Sequence, residues 1–221
     1  MKKFSKKEIE NALKNMNGFI DVTIPDIQEL LATLNKNHKQ HRQQKLWLKL
    51  LKSFQVKPSH TKRVNWRETI FSWAFSFIGI AVLGLLNIVD PVHIFTIGSF
   101  GASAVLIYGA PRSALAQPRN LIGGHVLSAL VGVAIYYILP NPIWSAALSV
   151  SLAIAVMHIT KTLHPPGGAT ALIAIIGGDR IHALGFGYAI MPVFIGACLM
   201  LIVAWIANNS VRGRRYPLYW F

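Results

Sequence analysis

Long apolar runs separated by short polar turns fill most of the chain after residue 69. Five uncharged runs are 18 to 25 residues long, close to the roughly 20 residues that a helix needs to cross the hydrocarbon of a bilayer: 70–89, 93–110, 121–139, 143–160 and 183–207. A sixth run, 165–178, is apolar but short, so it crosses only if extended or broken backbone supplies part of the length. The pattern predicts an all-α, polytopic membrane bundle of about six segments.

The first 68 residues have a different pattern. Apolar positions recur there at helical intervals among many charges: Ile9, Ala12, Leu13 and Met16, then Ile27, Leu30, Leu31 and Leu34, then Trp47, Leu50, Leu51 and Phe54. The third, basic helix either lies on an anionic membrane surface or packs on the first two. We therefore predict a short helical cytoplasmic arm over 1–68, a membrane domain over 69–210 and a cytoplasmic tail over 211–221.

The distribution of charge excludes a wholly soluble protein. Residues 1–68 hold 15 of the 22 Lys and Arg and 6 of the 8 Asp and Glu, which leaves too few charges to cover a soluble domain of the rest. The net charge of +14 does not indicate nucleic-acid binding, because most of it lies beside the first apolar run, where the positive-inside rule accounts for it. We expect that run to act as an uncleaved anchor. Cys198 is the single cysteine, so no disulfide framework is expected.

Basic and neutral turns alternate along the membrane domain. Four regions are basic: the segment that ends at Arg67, the turn with Arg112 and Arg119, the turn with Lys161, and the 212–215 cluster. The three turns between these regions hold, in order, Asp90, no charged residue, and the oppositely charged pair at 179–180. This alternation predicts six crossings with both termini in the cytoplasm, in the inner (plasma) membrane.

A weak internal repeat accompanies the six runs. Residues 101–106 (GASAVL) resemble residues 168–173 (GATALI), 67 positions later, and each stretch lies in the middle of a group of three apolar runs. A unit of three spans must enter the membrane from opposite sides when repeated, so we predict a 3+3 inverted repeat. Stripes of small residues, such as Gly124, Ser128 and Gly132, suit close helix packing and equally suit a homo-oligomer interface.

The segment 161–171 (KTLHPPGGATA) carries the most chemical information. Its two prolines and two glycines predict irregular backbone at membrane depth, which is tolerated where it lines a cavity. A helix beginning near Gly167, and a second beginning at 98–101, would point free N–H groups into that cavity and favour an anion. A cation site would instead require carboxylates within the membrane, and Asp90 and Asp179 both lie at the ends of runs.

These motifs resemble the HPP family of integral membrane proteins, named for His164, Pro165 and Pro166. The resemblance covers about 71–208 and rests on 101–104 (GASA), 117–120 (QPRN) with 123–125 (GGH), and 164–171 (HPPGGATA). It implies a transporter, since family members are described as probable transporters and some plant and cyanobacterial members are implicated in nitrite transport. Members are usually described with four spans, and the arm lies outside the motifs.

The sequence therefore predicts a transporter or channel for a small anion, with nitrite as the family-guided candidate and the lipid bilayer as its surroundings. The predicted substrate-binding residues are His164, Pro165, Pro166, Gly167, Gly168, Thr170, Gly101, Ser103, Arg119, Asn120 and His125. Arg119 either draws the anion in or anchors the turn to headgroups, and the histidines either relay protons or bond to backbone. We expect no catalytic residues, metal or cofactor. The alternatives are a signalling or scaffold protein whose arm binds a partner, and a membrane enzyme.

Overall fold

A computed structural model describes residues 64–89 and 95–220, together with the isolated position Ala32. The predicted arm helices, the turn at Asp90 and His93 lie outside these residues. The described residues are helical and turn segments, and four of their helices are long and apolar enough to cross a membrane. The chain is thus a multi-pass membrane protein, as its apolar runs predict.

Seven helices, together with a 3-10 turn at Ala114–Ala116, follow one another in the described residues. The helices are α1 (Trp66–Val89), α2 (Gly98–Gly109), α3 (Pro118–Ile138), α4 (Pro142–Ile159), α5 (Pro165–Ile176), the short α6 (Asp179–His182) and α7 (Gly185–Asn209). Helices α1, α3, α4 and α7 are the four long ones, whereas α2 and α5 have 12 residues each, about 18 Å at 1.5 Å per residue. The two short helices cannot cross the bilayer by themselves, so the prediction of six crossings stays a prediction.

Proline begins three of these helices and interrupts a fourth. Pro118, Pro142 and Pro165 stand in the first turns of α3, α4 and α5, where the missing N–H costs no helical bond. Within α7, Met191 has extended backbone (φ −123°, ψ 120°). Because Pro192 follows it, the α conformation of Met191 is sterically disfavoured and the helix is interrupted there.

The predicted irregular segment at 164–168 is shorter than expected. Only His164 has extended backbone, and α5 runs from Pro165 through both glycines without a break. The helix predicted to begin near Gly167 begins at Pro165, two residues earlier. The physical reason is that prolines in the first turn start a helix and interrupt one only farther along it.

The elements repeat at the same spacing as the sequence motif. Helices α2 and α5 begin 67 positions apart and are equally long, and α3 and α7 also begin 67 positions apart. Packing follows the same relation, because α3 lies on α4 and α5 whereas α7 lies on α1 and α2. The third helix of each predicted unit thus packs on the first two of the other unit. The opposite orientation of the two units stays a prediction.

Small residues allow the close packing of α3 on α5 and on the turn that precedes α5. A Cβ added at Gly132 would lie 2.6 Å from the carbonyl oxygen of Ala171, and one added at Gly124 would lie 2.8 Å from that of Thr162. Such approach gives helices in lipid their van der Waals attraction, since lipid is as apolar as leucine. The outer side of α1 is different: Trp66, Trp73 and Phe77 are exposed, as suits contact with acyl chains.

Turns that carry basic residues meet at one end of the bundle, which we call the basic end and define by Arg112, Arg119, Lys161 and Arg214. Arg214 forms an ion pair with Glu68 at the start of α1, and Arg112 Nη2 donates to the Gly213 carbonyl (2.7 Å).

The tail closes the same end. The hydroxyl of Tyr216 donates to the Ala116 carbonyl (2.7 Å), and burial raises the pKa of this phenol, which keeps it protonated as a donor. The structure therefore places the basic turns together at the basic end of the bundle. The cytoplasmic location of that end stays a prediction.

Candidate binding site between two short helices

Polar side chains gather where α2, α3 and α5 meet. Ser103 on α2, His125 on α3, Thr170 on α5 and His164, which directly precedes α5, are each 0% exposed. Buried polar groups in a membrane bundle are costly and mark functional sites by default. The structure thus brings together four of the predicted site residues, which are spread over 68 positions of the chain.

These four side chains form one continuous chain of hydrogen bonds. Ser103 Oγ lies 2.7 Å from His125 Nε2 and 2.8 Å from His164 Nε2. His125 Nδ1 lies 2.6 Å from Thr170 Oγ1, and His164 Nδ1 lies 2.8 Å from the Leu115 carbonyl oxygen. One serine hydroxyl therefore bridges two imidazoles, and both nitrogens of each ring have a partner.

Backbone carbonyls lie at the two hydroxyls of this chain. The Ser99 carbonyl is 3.3 Å from Ser103 Oγ, and the Pro166 carbonyl is 3.3 Å from Thr170 Oγ1. Each hydroxyl thus has a carbonyl to which it can donate when it is not donating to a histidine. Phe100 covers the cluster on one side, with its ring centroid 5.2 Å from that of His125.

The turn between α4 and α5 holds His164 in place. Lys161 adopts a left-handed φ of 58°, the conformation that commonly ends a helix, and the Thr162 N–H donates back to Met157 (2.9 Å). From the start of α3, Arg119 Nη2 donates to the Thr160 carbonyl (2.7 Å) and Asn120 Nδ2 donates to the Leu163 carbonyl (2.8 Å). Arg119 and Asn120 thus position this turn, a role that the sequence did not predict for them.

The glycines of the predicted site have different surroundings. A Cβ at Gly167 would lie 2.8 Å from both the Gly124 carbonyl oxygen and Ser128 Oγ, so this position requires glycine. A Cβ at Gly168 would meet only Val150, at 3.8 Å, and one at Gly101 would meet nothing within 4 Å. Close backbone packing therefore excludes a side chain at Gly167 but not at Gly168, one residue later.

Three predicted site residues lie at the edge of the cluster. Gly101 and Pro165 are exposed and Gly168 is half-buried, whereas Pro166 is buried and its carbonyl faces Thr170. The structure therefore separates the predicted list into a buried group of polar side chains, two positioning residues at the start of α3, and glycines or a proline on the outer side of α2 and α5.

Two buried serines near the cluster were not predicted as site residues. Ser99 lies one turn before Ser103 on α2, and Ser128 lies one turn after His125 on α3. Both hydroxyls are fully buried and have no hydrogen-bond partner among the described residues. Their only sequence signal was a place in small-residue stretches, which is equally typical of helix packing. A buried hydroxyl without a partner in a native structure calls for an explanation, of which a bound water or ion is one.

Metal-ligating side chains do not converge in the described part of the chain. No group of three or more His, Cys, Asp or Glu side chains that could hold a metal ion occurs among the residues 64–89 and 95–220. The described carboxylates also lie away from the cluster, since Glu68 pairs with Arg214 and Asp179 is exposed at the start of α6. The cluster consists of neutral donors and acceptors and two imidazoles.

A helical bundle with buried polar side chains between two half-length helices defines the class: an integral, multi-pass membrane protein. The chain belongs to the family described as HPP, transmembrane region, whose sequence profile matches residues 61–217. The family resemblance of the motifs is thereby confirmed. No solved structure matches the chain.

Two relatives come from Dictyostelium discoideum, and both are named only as transmembrane proteins. One is 50% identical over 166 residues, which cover 72% of this chain and 53% of the relative. The other is 48% identical over 161 residues, which cover 70% of this chain and 56% of the relative. The chain thus spans about half the length of these relatives, and their names state no activity.

Proposed function

We propose that the protein is a transporter or channel for a small anion, with nitrite as the first candidate. The observation that carries this proposal is the buried cluster of hydroxyl and imidazole groups between α2, α3 and α5, with the two hydroxyls of Ser99 and Ser128 left without partners. Each unsatisfied buried donor costs about 1–3 kcal/mol, and a ligand that accepts hydrogen bonds removes that cost. An oxyanion is such a ligand.

The charge distribution supports an anion over a cation. The basic end carries Arg112, Arg119 and Lys161, and no described carboxylate bonds to the cluster. Positive potential at a mouth raises the local concentration of anions and speeds their entry. A cation site at membrane depth would instead require carboxylates or a ring of carbonyl ligands.

The repeated architecture supports a path between two units. Unusually short helices at matching positions of two repeats are typical of transporter sites near the bilayer midplane. Here α2 and α5 are those helices, and the cluster joins residues from both. In this proposal the two units have opposite orientations, six segments cross the membrane, both termini are cytoplasmic, and the protein lies in the cell's inner (plasma) membrane.

One contact favours a second candidate function. Ser103 Oγ and His125 Nε2 are 2.7 Å apart, the spacing of a serine nucleophile and its base. An acyl-transfer enzyme would need this hydroxyl open to substrate, and here it is fully buried and also bonded to His164. Labelling by a fluorophosphonate that Ser103→Ala abolishes would establish the enzyme. We expect no labelling.

Transport is tested in proteoliposomes that contain the purified chain. Nitrite entry down its concentration gradient, at equal pH on both sides, should exceed that of protein-free vesicles, and chloride should compete with it less well than nitrate. Ser128→Ala and Ser99→Ala should each lower nitrite uptake several-fold. Ser151→Ala is the matched control, because its exposed hydroxyl bonds within α4 to the Leu148 carbonyl. Uptake of potassium or glycerol without any anion flux would contradict the proposal.

A further inference from the structure

When both histidine rings are neutral, their hydrogen-bond partners fix the positions of the protons in the chain between them. The Leu115 oxygen is a carbonyl and only accepts, so His164 carries its proton on Nδ1 and its Nε2 is an acceptor. That acceptor takes the single proton of the Ser103 hydroxyl. Ser103 must then accept from His125, which therefore carries its proton on Nε2, and Thr170 donates to the bare His125 Nδ1. The neutral rings are thus opposite tautomers.

The same chain holds one additional proton without losing a bond. A proton that binds His125 Nδ1 makes this nitrogen a donor to Thr170 Oγ1, and the Thr170 hydroxyl turns to the Pro166 carbonyl, 3.3 Å away. The proton then passes on through Ser103: His125 Nε2 gives its proton to Oγ while Oγ gives its own to His164 Nε2. Both positions of the added proton leave every ring nitrogen bonded.

The titratable groups on the helices that surround the pair do not neutralise this added charge. Tyr188, which precedes the break in α7, donates its hydroxyl to the Thr170 carbonyl (3.2 Å), and Arg119 donates to the Thr160 carbonyl. His158 on α4 is exposed, and Cys198 on α7 is half-buried. Among the described carboxylates, neither Glu68 nor Asp179 bonds to either ring. A protonated pair is therefore a buried positive charge without a counter-ion from these residues.

We propose that the bridged pair of His125 and His164 carries one proton with each anion, so that the protein is a proton–anion symporter. This inference rests on the proposed function. A buried charge without a counter-ion is costly, and the anion in the neighbouring site supplies one. By linkage, the proton strengthens anion binding by the same factor as the anion strengthens proton binding. The loaded site is neutral, and one proton and one anion leave together on the far side.

The transport experiment uses nitrite and a pH-sensitive dye trapped in the proteoliposomes, with the membrane voltage held at zero by potassium and valinomycin. Protein-free vesicles supply the background from neutral nitrous acid. We expect the interior to acidify with one proton per nitrite, and an inward proton gradient to drive nitrite above equilibrium. Nitrite flux that carries current and no protons would overturn the symport and leave the anion transporter standing. Absence of any anion flux would overturn both.

Variants test whether the proton uses this chain. Ser103→Ala removes the bridge and Thr170→Val removes the terminal hydroxyl, and each should lower gradient-driven uptake at least tenfold. Thr170→Ser keeps the hydroxyl and should restore it to within threefold. Tyr188→Phe removes a buried hydroxyl outside the chain and should change uptake less than twofold. Equal losses in Thr170→Val and Tyr188→Phe would contradict the relay.

A measurement without transport tests the proton arrangement itself. In purified protein labelled with ¹⁵N in histidine, NMR spectra at alkaline pH should show the His164 ring protonated on Nδ1 and the His125 ring protonated on Nε2. His164→Gln and His125→Gln assign the two sets of signals. Two rings of the same tautomer would overturn the relay whether or not the vesicles transport nitrite.

Discussion

Ser103 and Thr170 lie 67 positions apart in the chain, and their hydroxyls bond to opposite nitrogens of one imidazole. Ser103 Oγ is 2.7 Å from His125 Nε2, and Thr170 Oγ1 is 2.6 Å from His125 Nδ1. The two hydroxyl residues occupy matching places in the GASA and GATA motifs. The two halves of a repeat that is weak in sequence thus each contribute a hydroxyl to the same side chain.

Gly167→Ala should destabilise the bundle, because its Cβ would lie 2.8 Å from the Gly124 carbonyl oxygen and 2.9 Å from Met157 Sδ. Overpacking of this kind costs about 1–3 kcal/mol, and we expect a lower melting temperature in detergent. Gly168→Ala is the matched control, since its Cβ meets only Val150 at 3.8 Å. The free energy of unfolding of this variant should lie within about 0.5 kcal/mol of the wild-type value. Equal destabilisation by both substitutions would contradict the packing described here.

Arg119→Ala should lower both nitrite uptake and thermal stability, because it removes a cation from the basic end and the bond to the Thr160 carbonyl. Arg112→Ala removes an equal charge from the same end without touching the turn before His164. We therefore expect a smaller loss of uptake in Arg112→Ala. If uptake falls equally in the two variants, Arg119 acts through charge alone. Arg119→Lys should restore uptake in part, since an ammonium lacks the planar fork.

Arg214→Lys should lower the melting temperature although it conserves charge. The Arg214 side chain is 5% exposed, pairs with Glu68, lies 4.2 Å from the Phe71 ring centroid and donates to the Tyr108 carbonyl and Asn208 Oδ1. The single ammonium group of lysine cannot replace all of these N–H donors. Each buried acceptor that is left without a donor lowers the free energy of unfolding by about 1–3 kcal/mol. Arg215→Lys, at an exposed neighbour, should leave the melting temperature unchanged.

Cysteine labelling tests the orientation of the basic end. With Cys198 replaced by alanine, an impermeant maleimide added outside intact cells should modify Asn141→Cys and spare Ala114→Cys. Both positions are exposed, which matters because the neighbouring Ala116 is fully buried and would escape labelling on either side. Labelling of Ala114→Cys alone would contradict this orientation and indicate the opposite one. If neither cysteine is labelled in intact cells, the reaction is repeated on opened membranes.

Much of the fold follows from the sequence alone. Runs of about 20 apolar residues predict α1, α3, α4 and α7, since backbone polar groups in lipid must be satisfied within a helix. The alternation of basic turns places Arg112, Arg119 and Arg214 on one face, and the structure joins these turns by direct bonds. Local chemistry of this kind depends on neighbours along the chain, which a sequence displays.

The partners within the site were decided by tertiary structure. The sequence named His125, His164, Ser103 and Thr170, but nothing in their spacing shows that one hydroxyl bridges the two rings or that Leu115 offers its carbonyl to His164. Both Gly167 and Gly168 were predicted site residues, but packing requires glycine only at Gly167, because one residue turns a helix by about 100° and so chooses the face. Ser99 and Ser128 likewise became recognisable as unpartnered donors only when neighbouring helices excluded water from them. Contacts between distant segments depend on helix rotation and depth, and these are settled by the packing of the whole bundle.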